Sequence, residues 1–313
     1  MSGDSSPLTP AQSARLTRMA TLASVTVAAV LVALKASAWA QSGSVAVLAS
    51  LADSGLDLLA SLVTLFAVRY AAVPPDSKHR FGHGKAEAFA SLMQAGLVFA
   101  SSALVAREAV HAMLDPTPIQ KEGLALAVMA VSTVLTLALI TLQGWVLRRT
   151  ASVAIAGDRA HYASDLGSNL IGLAGVGAAY AFGLHGLDAP AGLLIAAFLL
   201  AGAVGVFRQA SSQLMDRELS EPARAHIVDL ITQDPRVTDV HQLRTRASGP
   251  YVHIQMHVDM DPSLSLETAH KVIIDAENRL LRVFPSADIL IHPDPRGRAE
   301  PHGGAFAETH KLA

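Results

Sequence analysis

The sequence contains no cysteine, so it can form neither disulfide bonds nor thiolate metal sites. Any metal site in this chain must therefore use His, Asp or Glu. These ligands disfavour Cu(I), which prefers sulfur, and suit divalent ions such as Zn²⁺, Fe²⁺ and Mn²⁺.

Charged residues are also scarce. They make up 16% of the chain, against about 25% in a typical soluble domain, whereas hydrophobic residues make up 51%. The net charge is -2, and the sequence has no basic cluster of the kind that follows a phosphate backbone. The composition favours a membrane protein and argues against nucleic acid as a partner.

Two catalytic motifs are missing as well. The sequence has no phosphate-binding loop of the form G-x-x-x-x-G-K-[ST], which argues against direct use of ATP. It also has no H-E-x-x-H motif, which argues against an intramembrane metalloprotease. We therefore predict that the protein is not an enzyme.

Six apolar stretches reach the roughly 20 residues that a helix needs to cross a bilayer. Arg and Lys are concentrated before the first stretch, between the second and third, and between the fourth and fifth, so both termini are predicted to be cytoplasmic. We predict a cytoplasmic tail over 1–16 and a six-helix transmembrane domain over 17–209. The stretches lie near residues 17–40, 44–71, 88–113, 123–147, 161–183 and 187–208.

The first stretch has an alternative interpretation as a signal peptide. Arg15 and Arg18 precede an apolar run, and Ala36-Ser37-Ala38 resembles a cleavage site. Five further spans follow, and Lys35 lies late for such a segment, so we favour a retained helix.

The remainder of the chain is more polar and predicts helix, strand, strand, helix and strand. This order is typical of a small α+β domain with αββαβ topology, like that of metallochaperones, which we place over 210–295. Residues 296–313 are predicted to be a disordered tail because they are rich in Gly, Arg, His and Glu. The predicted elements cover residues 221–233, 237–247, 250–259, 265–284 and 287–292.

Ionisable residues occur in pairs inside two predicted spans. Asp53 and Asp57 are four residues apart in the second span, and His161 and Asp165 are four apart in the fifth. Residues at this spacing share one face of a helix, and carboxylates inside hydrocarbon are usually functional. Three carboxylates and one imidazole form a tetrahedral ligand set suited to Zn²⁺. Alternatively, the two aspartates could cap helix ends or pair with Lys35, but that leaves the second pair unexplained.

The loop between the second and third spans contains Asp76, His79 and His83. Three protein ligands would leave one coordination position open, as in exchangeable sites. The alternative is a solvated basic loop whose histidines bind nothing.

Five short segments together carry a family resemblance, although each is weak alone. In this order and spacing the chain resembles the cation diffusion facilitators, most closely their bacterial zinc exporters. The segments are Leu51–Ala60, Phe81–Glu87, His161–Asp165, Leu243–Pro250 and Ile289–Pro295.

The resemblance implies three metal sites and a homodimer in a bacterial inner membrane. Asp53, Asp57, His161 and Asp165 match the family's transport site, and Asp76, His79 and His83 match its loop site. The soluble domain matches a two-metal cluster that supports the dimer. Its ligands correspond to His241, His257, His270, His292 and Asp294. His253 is additional. It could join the cluster, but we expect a surface histidine there.

The sequence thus predicts a secondary transporter that exports a divalent transition metal, Zn²⁺ and also Cd²⁺, in exchange for protons. Zn²⁺ is expected both as cargo and as a structural ion. One alternative is an Fe²⁺ or Mn²⁺ exporter of the same family. Another is a membrane sensor or storage protein that binds metal without carrying it, but such a protein needs no ligands in the middle of its helices.

Overall fold

The computed structural model of this 313-residue chain describes residues 8–42, 45–114, 123–182 and 188–298. The chain divides into two compact units. Residues 13–211 form a helical unit, and residues from 212 onward, grouped with the first twelve, form the second. The predicted disordered tail falls mostly outside the described residues.

The helical unit contains six long helices in the described residues. Four of them contain segments that are long and apolar enough to cross a membrane, namely Ala11–Gln41, Ser50–Ala71, Ala86–His111 and Ala130–Thr150. The helices are α1 (Pro10–Ser42), α2 (Val45–Ala71), α3 (Ala86–Leu114), α4 (Gly123–Thr150), α5 (Val153–Phe182) and α6 (Asp188–Leu214).

Helix α1 begins before the apolar run that predicts it. The Thr9 backbone N–H donates to Gln12 Oε1 (2.9 Å), and the Gln12 N–H donates to Thr9 Oγ1 (3.3 Å). This reciprocal pair satisfies two N–H groups at a helix start, and Pro10 suits the first helical position. The helix therefore extends about two turns ahead of residue 17.

Helix α5 likewise begins at Val153, eight residues before the predicted span. The Ser152 hydroxyl accepts from the Ile155 N–H (3.4 Å), so a serine caps the helix start. A Cβ at Gly157 would lie 2.9 Å from Ser91 Oγ and 3.0 Å from Ser91 Cα, so only glycine permits this approach of α3. Helix α5 also packs against α2 and α4.

The second unit confirms the predicted αββαβ order. A three-stranded sheet has the order β1-β2-β3, with β1 and β2 antiparallel and β2 and β3 parallel across α8. Its elements are α7 (Glu221–Ile231), β1 (Val237–Ser248), β2 (Tyr251–Met260), α8 (Leu266–Val283) and β3 (Ala287–Pro295).

The core of this unit lies between the two helices and one face of the sheet. Alternate residues of β2, such as Ile254, Met256 and Val258, pack there against buried residues of α7 and α8. The intervening residues of β2 point to the opposite face of the sheet, because side chains alternate along a strand.

A bulge in β1 determines which residues share that opposite face. Gln242 has a positive φ of 51°, and the pairing register shifts between His241 and Arg244. The extra residue brings His241 and Arg244 to the same face, although three positions separate them. His241 then pairs with His257, which in turn lies opposite His292.

Candidate metal centres

The first candidate centre joins α2 and α5 within the helical unit. His161 Nε2 lies 3.1 Å from Asp57 Oδ1 and 3.8 Å from Asp165 Oδ2. One ligand atom from each of the three residues lies within 4.8 Å of the others. Ligands about 2.0 Å from a tetrahedral Zn²⁺ lie roughly 3.3 Å apart, so these spacings suit one ion.

The burial of this helical cluster is high. His161 is 5% exposed and Asp57 is 9% exposed. His161 Nδ1 is buried without a hydrogen-bond partner in the described part of the chain, so the imidazole contacts the cluster only through Nε2. Two carboxylates and one imidazole that converge in this way are a ligand set that a divalent cation can occupy.

Asp53 lies one turn before Asp57 on α2, as the sequence predicts, but it is exposed and lies outside the cluster of three. Lys35 does not pair with either aspartate in the manner of the alternative interpretation. Its Nζ instead donates to Ser54 Oγ (2.7 Å) and to the Ser50 carbonyl (3.2 Å).

Asp158, a fully buried carboxylate on α5, is not among the residues predicted from the sequence. It precedes His161 by three residues, which is also helical spacing. The predicted fifth span begins at residue 161, so Asp158 falls in the preceding loop, where a carboxylate is common and does not indicate a functional site. Continuing the helical pattern one turn backward from His161 would have found it.

The second candidate centre is the loop after α2. His79 Nδ1 lies 3.4 Å from Asp76 Oδ1, and His83 Nε2 lies 3.5 Å from Asp76 Oδ2. The backbone N–H groups of His79 and Lys78 donate to Asp76 and hold the pKa of its carboxyl below the usual value. The loop therefore presents an ionised carboxylate between two imidazoles, and ligand atoms of all three lie within 4.8 Å.

The third candidate centre lies on the sheet face opposite the helices. Asp294 Oδ2 lies 2.8 Å from His257 Nδ1 and 3.4 Å from His241 Nε2. His292 Nε2 lies 3.4 Å from Asp294 Oδ1. The strand register brings these residues together, because His241, His257 and His292 occupy adjacent positions across three strands.

Two residues change the predicted composition of this centre. Asp259 was missed, yet its Oδ1 lies 3.4 Å from His241 Nε2. The alternation of β2 was the available signal, since Asp259 follows His257 by two positions. His270 lies on an exposed face of α8 and outside the three-residue group, so its role as a ligand stays a prediction.

The expectation that His253 is a surface histidine is wrong. The residue is 5% exposed, and its Nδ1 lies 3.1 Å from Asp288 Oδ2. It occupies the middle strand, where it pairs with Arg246 on β1 and Asp288 on β3, so side chains lie on both sides of it.

Comparison with known proteins covers both units. The cation efflux transmembrane domain matches residues 21–215, and the cytoplasmic domain of cation efflux proteins matches residues 219–296. The cation-efflux pump FieF of Citrobacter koseri is 39% identical over 281 residues, which cover 90% of this chain and 93% of that protein. FieF of Yersinia enterocolitica is 41% identical over 284 residues, or 91% and 94% of the two chains.

Among solved structures, the metal-bound C-terminal domain of the CzcD transporter from Thermotoga maritima is also similar. The match has 23% identity and a TM-score of 0.25, and it covers 26% of this chain and 100% of that one.

Because the two matched domains are those of cation efflux proteins, the chain is a membrane transporter and not an enzyme. The two domain matches identify the protein family, and the relatives are similar to this chain over about nine-tenths of its length. The chain belongs to the cation efflux family, the cation diffusion facilitators.

Proposed function

We propose that this cation efflux protein exports Zn²⁺, and also Cd²⁺, from the cytoplasm in exchange for protons. One observation carries the proposal: Asp57, His161 and Asp165 converge from two helices in the interior of the helical unit. Asp53, one turn away on α2, completes the cargo ligands. Such a set combines hard carboxylates with a borderline imidazole, the combination that Zn²⁺ accepts.

Proton exchange follows from the same ligands. An imidazole must be neutral to ligate, so a metal ion and a proton compete for His161 Nε2. The aspartates also accept protons. Protonation of any of these ligands weakens metal binding, so the metal is released on the side of the membrane where protons are abundant. The site then returns with protons bound, which produces antiport.

Ligand chemistry leaves a second cargo class open to experiment. Fe²⁺ and Mn²⁺ also accept carboxylate and imidazole ligands, and affinity order alone does not set selectivity in a cell. An exporter of Fe²⁺ or Mn²⁺ is therefore the alternative. A sensor that binds without transport fits less well, because the converging ligands lie in the middle of the helices.

The other centres take supporting roles in this proposal. Asp76, His79 and His83 bind metal at the loop. His241, His257, His292 and Asp294, with His270, hold structural Zn²⁺ that tightens a homodimer. We place the protein in a bacterial inner membrane with both termini cytoplasmic. Its boundaries are a tail over 1–16, helices over 17–209, a soluble domain over 210–295 and a tail over 296–313.

The test is metal uptake into vesicles reconstituted with the full-length chain. Zn²⁺, Cd²⁺, Fe²⁺ and Mn²⁺ are supplied singly, with and without an imposed pH gradient, while a dye reports the internal pH. We expect Zn²⁺ and Cd²⁺ to enter fastest and to move protons in the opposite direction. Faster movement of Fe²⁺ or Mn²⁺ would favour the alternative cargo, and metal movement without proton movement would exclude antiport.

A further inference from the structure

Asp158 is buried completely in the helical unit, and the proposed transport ligands do not include it. It lies three residues before His161 on α5, so the two Cβ atoms are about 5–6 Å apart on one helix face. An isolated carboxylate in such surroundings is strongly unfavourable. Its contacts therefore reveal what stabilises it.

Three neutral donors from three helices meet this carboxylate. Ser24 Oγ on α1 donates to Asp158 Oδ2 at 2.6 Å, and Gln143 Nε2 on α4 donates to the same oxygen at 2.8 Å. Gln94 Nε2 on α3 donates to Oδ1 at 3.2 Å. Hydrogen bonds donated to both oxygens favour the ionised form of a carboxyl group, so these donors would offset part of the cost of a buried charge on Asp158.

The same network reaches α2, the helix that carries Asp57. Gln94 Nε2 also donates to Thr64 Oγ1 at 3.0 Å. Tyr162, the neighbour of His161, lies 2.7 Å from Ser61 Oγ on α2 and donates to the Ser24 carbonyl at 3.3 Å. These bonds fix the position of α5 relative to α1, α2, α3 and α4.

We propose, on the basis of the transport function proposed above, that Asp158 is a positioning residue of the transport site. It does not ligate the metal. Its hydrogen bonds hold α5 so that His161 and Asp165 face Asp57, and its charge strengthens the attraction of the cluster for a divalent cation. Groups that orient metal ligands in this way change metal affinity by roughly 10- to 100-fold when they are replaced.

The glutamines allow charge to be tested apart from hydrogen bonding. Gln143 Oε1 is buried without a hydrogen-bond partner among the described residues. In the Asp158→Asn variant, rotation of the Gln143 amide lets this oxygen accept from the new side-chain N–H. The variant then loses the charge while it keeps most of the hydrogen bonds.

A second variant returns the charge. In Asp158→Asn/Gln143→Glu, the carboxylate and the amide exchange places across the 2.8 Å bond that joins them in the original network. Ser24 Oγ lies 3.1 Å from the Gln143 side chain and can donate to the relocated carboxylate. The negative charge therefore stays within the same pocket.

The experiment measures initial Zn²⁺ uptake against Zn²⁺ concentration in vesicles that contain the full-length chain. We expect Asp158→Asn, which removes a charge close to the bound ion, to raise the KM for Zn²⁺ by roughly 10- to 100-fold, with Vmax within about threefold of wild type. The double variant should restore the KM to within about threefold. Ser102→Ala serves as a control, because this buried hydroxyl donates to Val98 of its own helix. Asp57→Ala is measured alongside.

Each outcome separates the inference from the function on which it rests. A wild-type KM for Asp158→Asn, with transport lost in Asp57→Ala, overturns the inference and leaves the function intact. Normal uptake by Asp57→Ala overturns the function and the inference together. If Asp158→Asn does not fold, a folded double variant with a wild-type KM supports the inference, and one with a raised KM overturns it.

Discussion

The helical cluster (Asp57, His161 and Asp165) and the sheet cluster (His241, His257 and Asp294) use the same two ligand types in different surroundings. In the helical cluster, ligands one turn apart on α5 meet a ligand of α2, and the side chains of His161, Asp57 and Asp165 are 6%, 13% and 23% exposed. In the sheet cluster, the three residues lie on adjacent strands, and their side chains are 22%, 18% and 15% exposed.

In the function proposed above, a difference in ligand charge separates the site that carries an ion from the site that holds one. The helical cluster is rich in acids, and buried carboxylates need a cation or a proton to offset their charge. It can therefore exchange one for the other. The sheet cluster is richer in histidine, which can remain neutral without a partner charge. It can exist without metal, which suits the static link proposed for it.

The largest effect should come from breaking the helical cluster. Asp57→Ala removes a charged ligand that lies 3.1 Å from His161, and we expect Zn²⁺ transport to fall at least about 100-fold. Uptake into reconstituted vesicles measures the loss, and a size-exclusion profile checks that the variant stays folded. Asp229→Ala, which removes an exposed carboxylate of α7, should transport normally. Equal rates for the two variants would contradict the assignment.

The sheet cluster predicts a different phenotype, in assembly. Residues 210–295 have a core of their own, and we expect Zn²⁺ to tighten their dimer by about tenfold or more, because ligands bound only in the assembled state add to its free energy. His257→Ala should abolish this response, since His257 lies 2.8 Å from Asp294.

Sedimentation in chelator and in Zn²⁺ measures the dimer constant. His226→Ala, which alters an exposed histidine of α7, should respond to Zn²⁺ as wild type does. If His257→Ala still responded fully, the sheet cluster would not be the metal link in the dimer.

The contrast between the clusters also shows what the sequence can predict. Pairs on one helix, such as His161 and Asp165, follow from spacing, because the geometry of a helix is fixed. The αββαβ order follows from helical spacing, from the alternation of side chains along a strand and from turn residues, all of which are local features of the chain. Both predictions depend only on contacts that are local in the chain.

Contacts between elements were harder to predict. Asp158 depends on donors from α1, α3 and α4, and no local pattern specifies them. The sheet cluster depends on strand register and on the bulge at Gln242, which a local pattern does not reveal. The burial of His253 likewise required knowledge of which strands lie on either side of it.

A smaller effect concerns proton competition in the helical cluster. Protons compete with Zn²⁺ for His161 Nε2 and for the carboxylates, so Zn²⁺ affinity should fall by at least about tenfold between roughly pH 7 and 5.5. In His161→Ala the affinity should be weaker overall and should change less over this range. Titration of the full-length protein with Zn²⁺ at several pH values tests this. Parallel curves for the two proteins would show that His161 does not couple protons to metal.

The smallest effect concerns protein stability and a carboxylate whose charge is offset by an arginine and not by a metal ion. Asp234, between α7 and β1, accepts from Arg236 Nε (2.9 Å), Nη2 (2.7 Å) and backbone N–H (3.0 Å). These bonds lower the pKa of Asp234 to about 2. Because the folded-state pKa lies below the ordinary value, the pair stabilises the fold above about pH 4 and loses this contribution as the pH falls through about 2.

We therefore expect Asp234→Asn to reduce the stability of residues 210–295 by about 1 kcal/mol at pH 7, a modest figure because solvent screens the Arg236 side of the pair. The difference from wild type should shrink as the pH falls from about 4 toward 2, where the wild-type carboxyl becomes protonated. Chelator is present throughout, so bound metal does not contribute. Urea unfolding at several pH values measures the loss of stability at pH 7 and its decrease at lower pH. Asp229→Asn is the matched control and should match wild type at every pH. A loss of stability in Asp234→Asn that does not change with pH would mean that the shape of Asp234, and not its charge, accounts for its contribution. Asp234 would then not be a carboxylate whose charge arginine offsets, in contrast to the helical cluster, where metal is proposed to offset the charge.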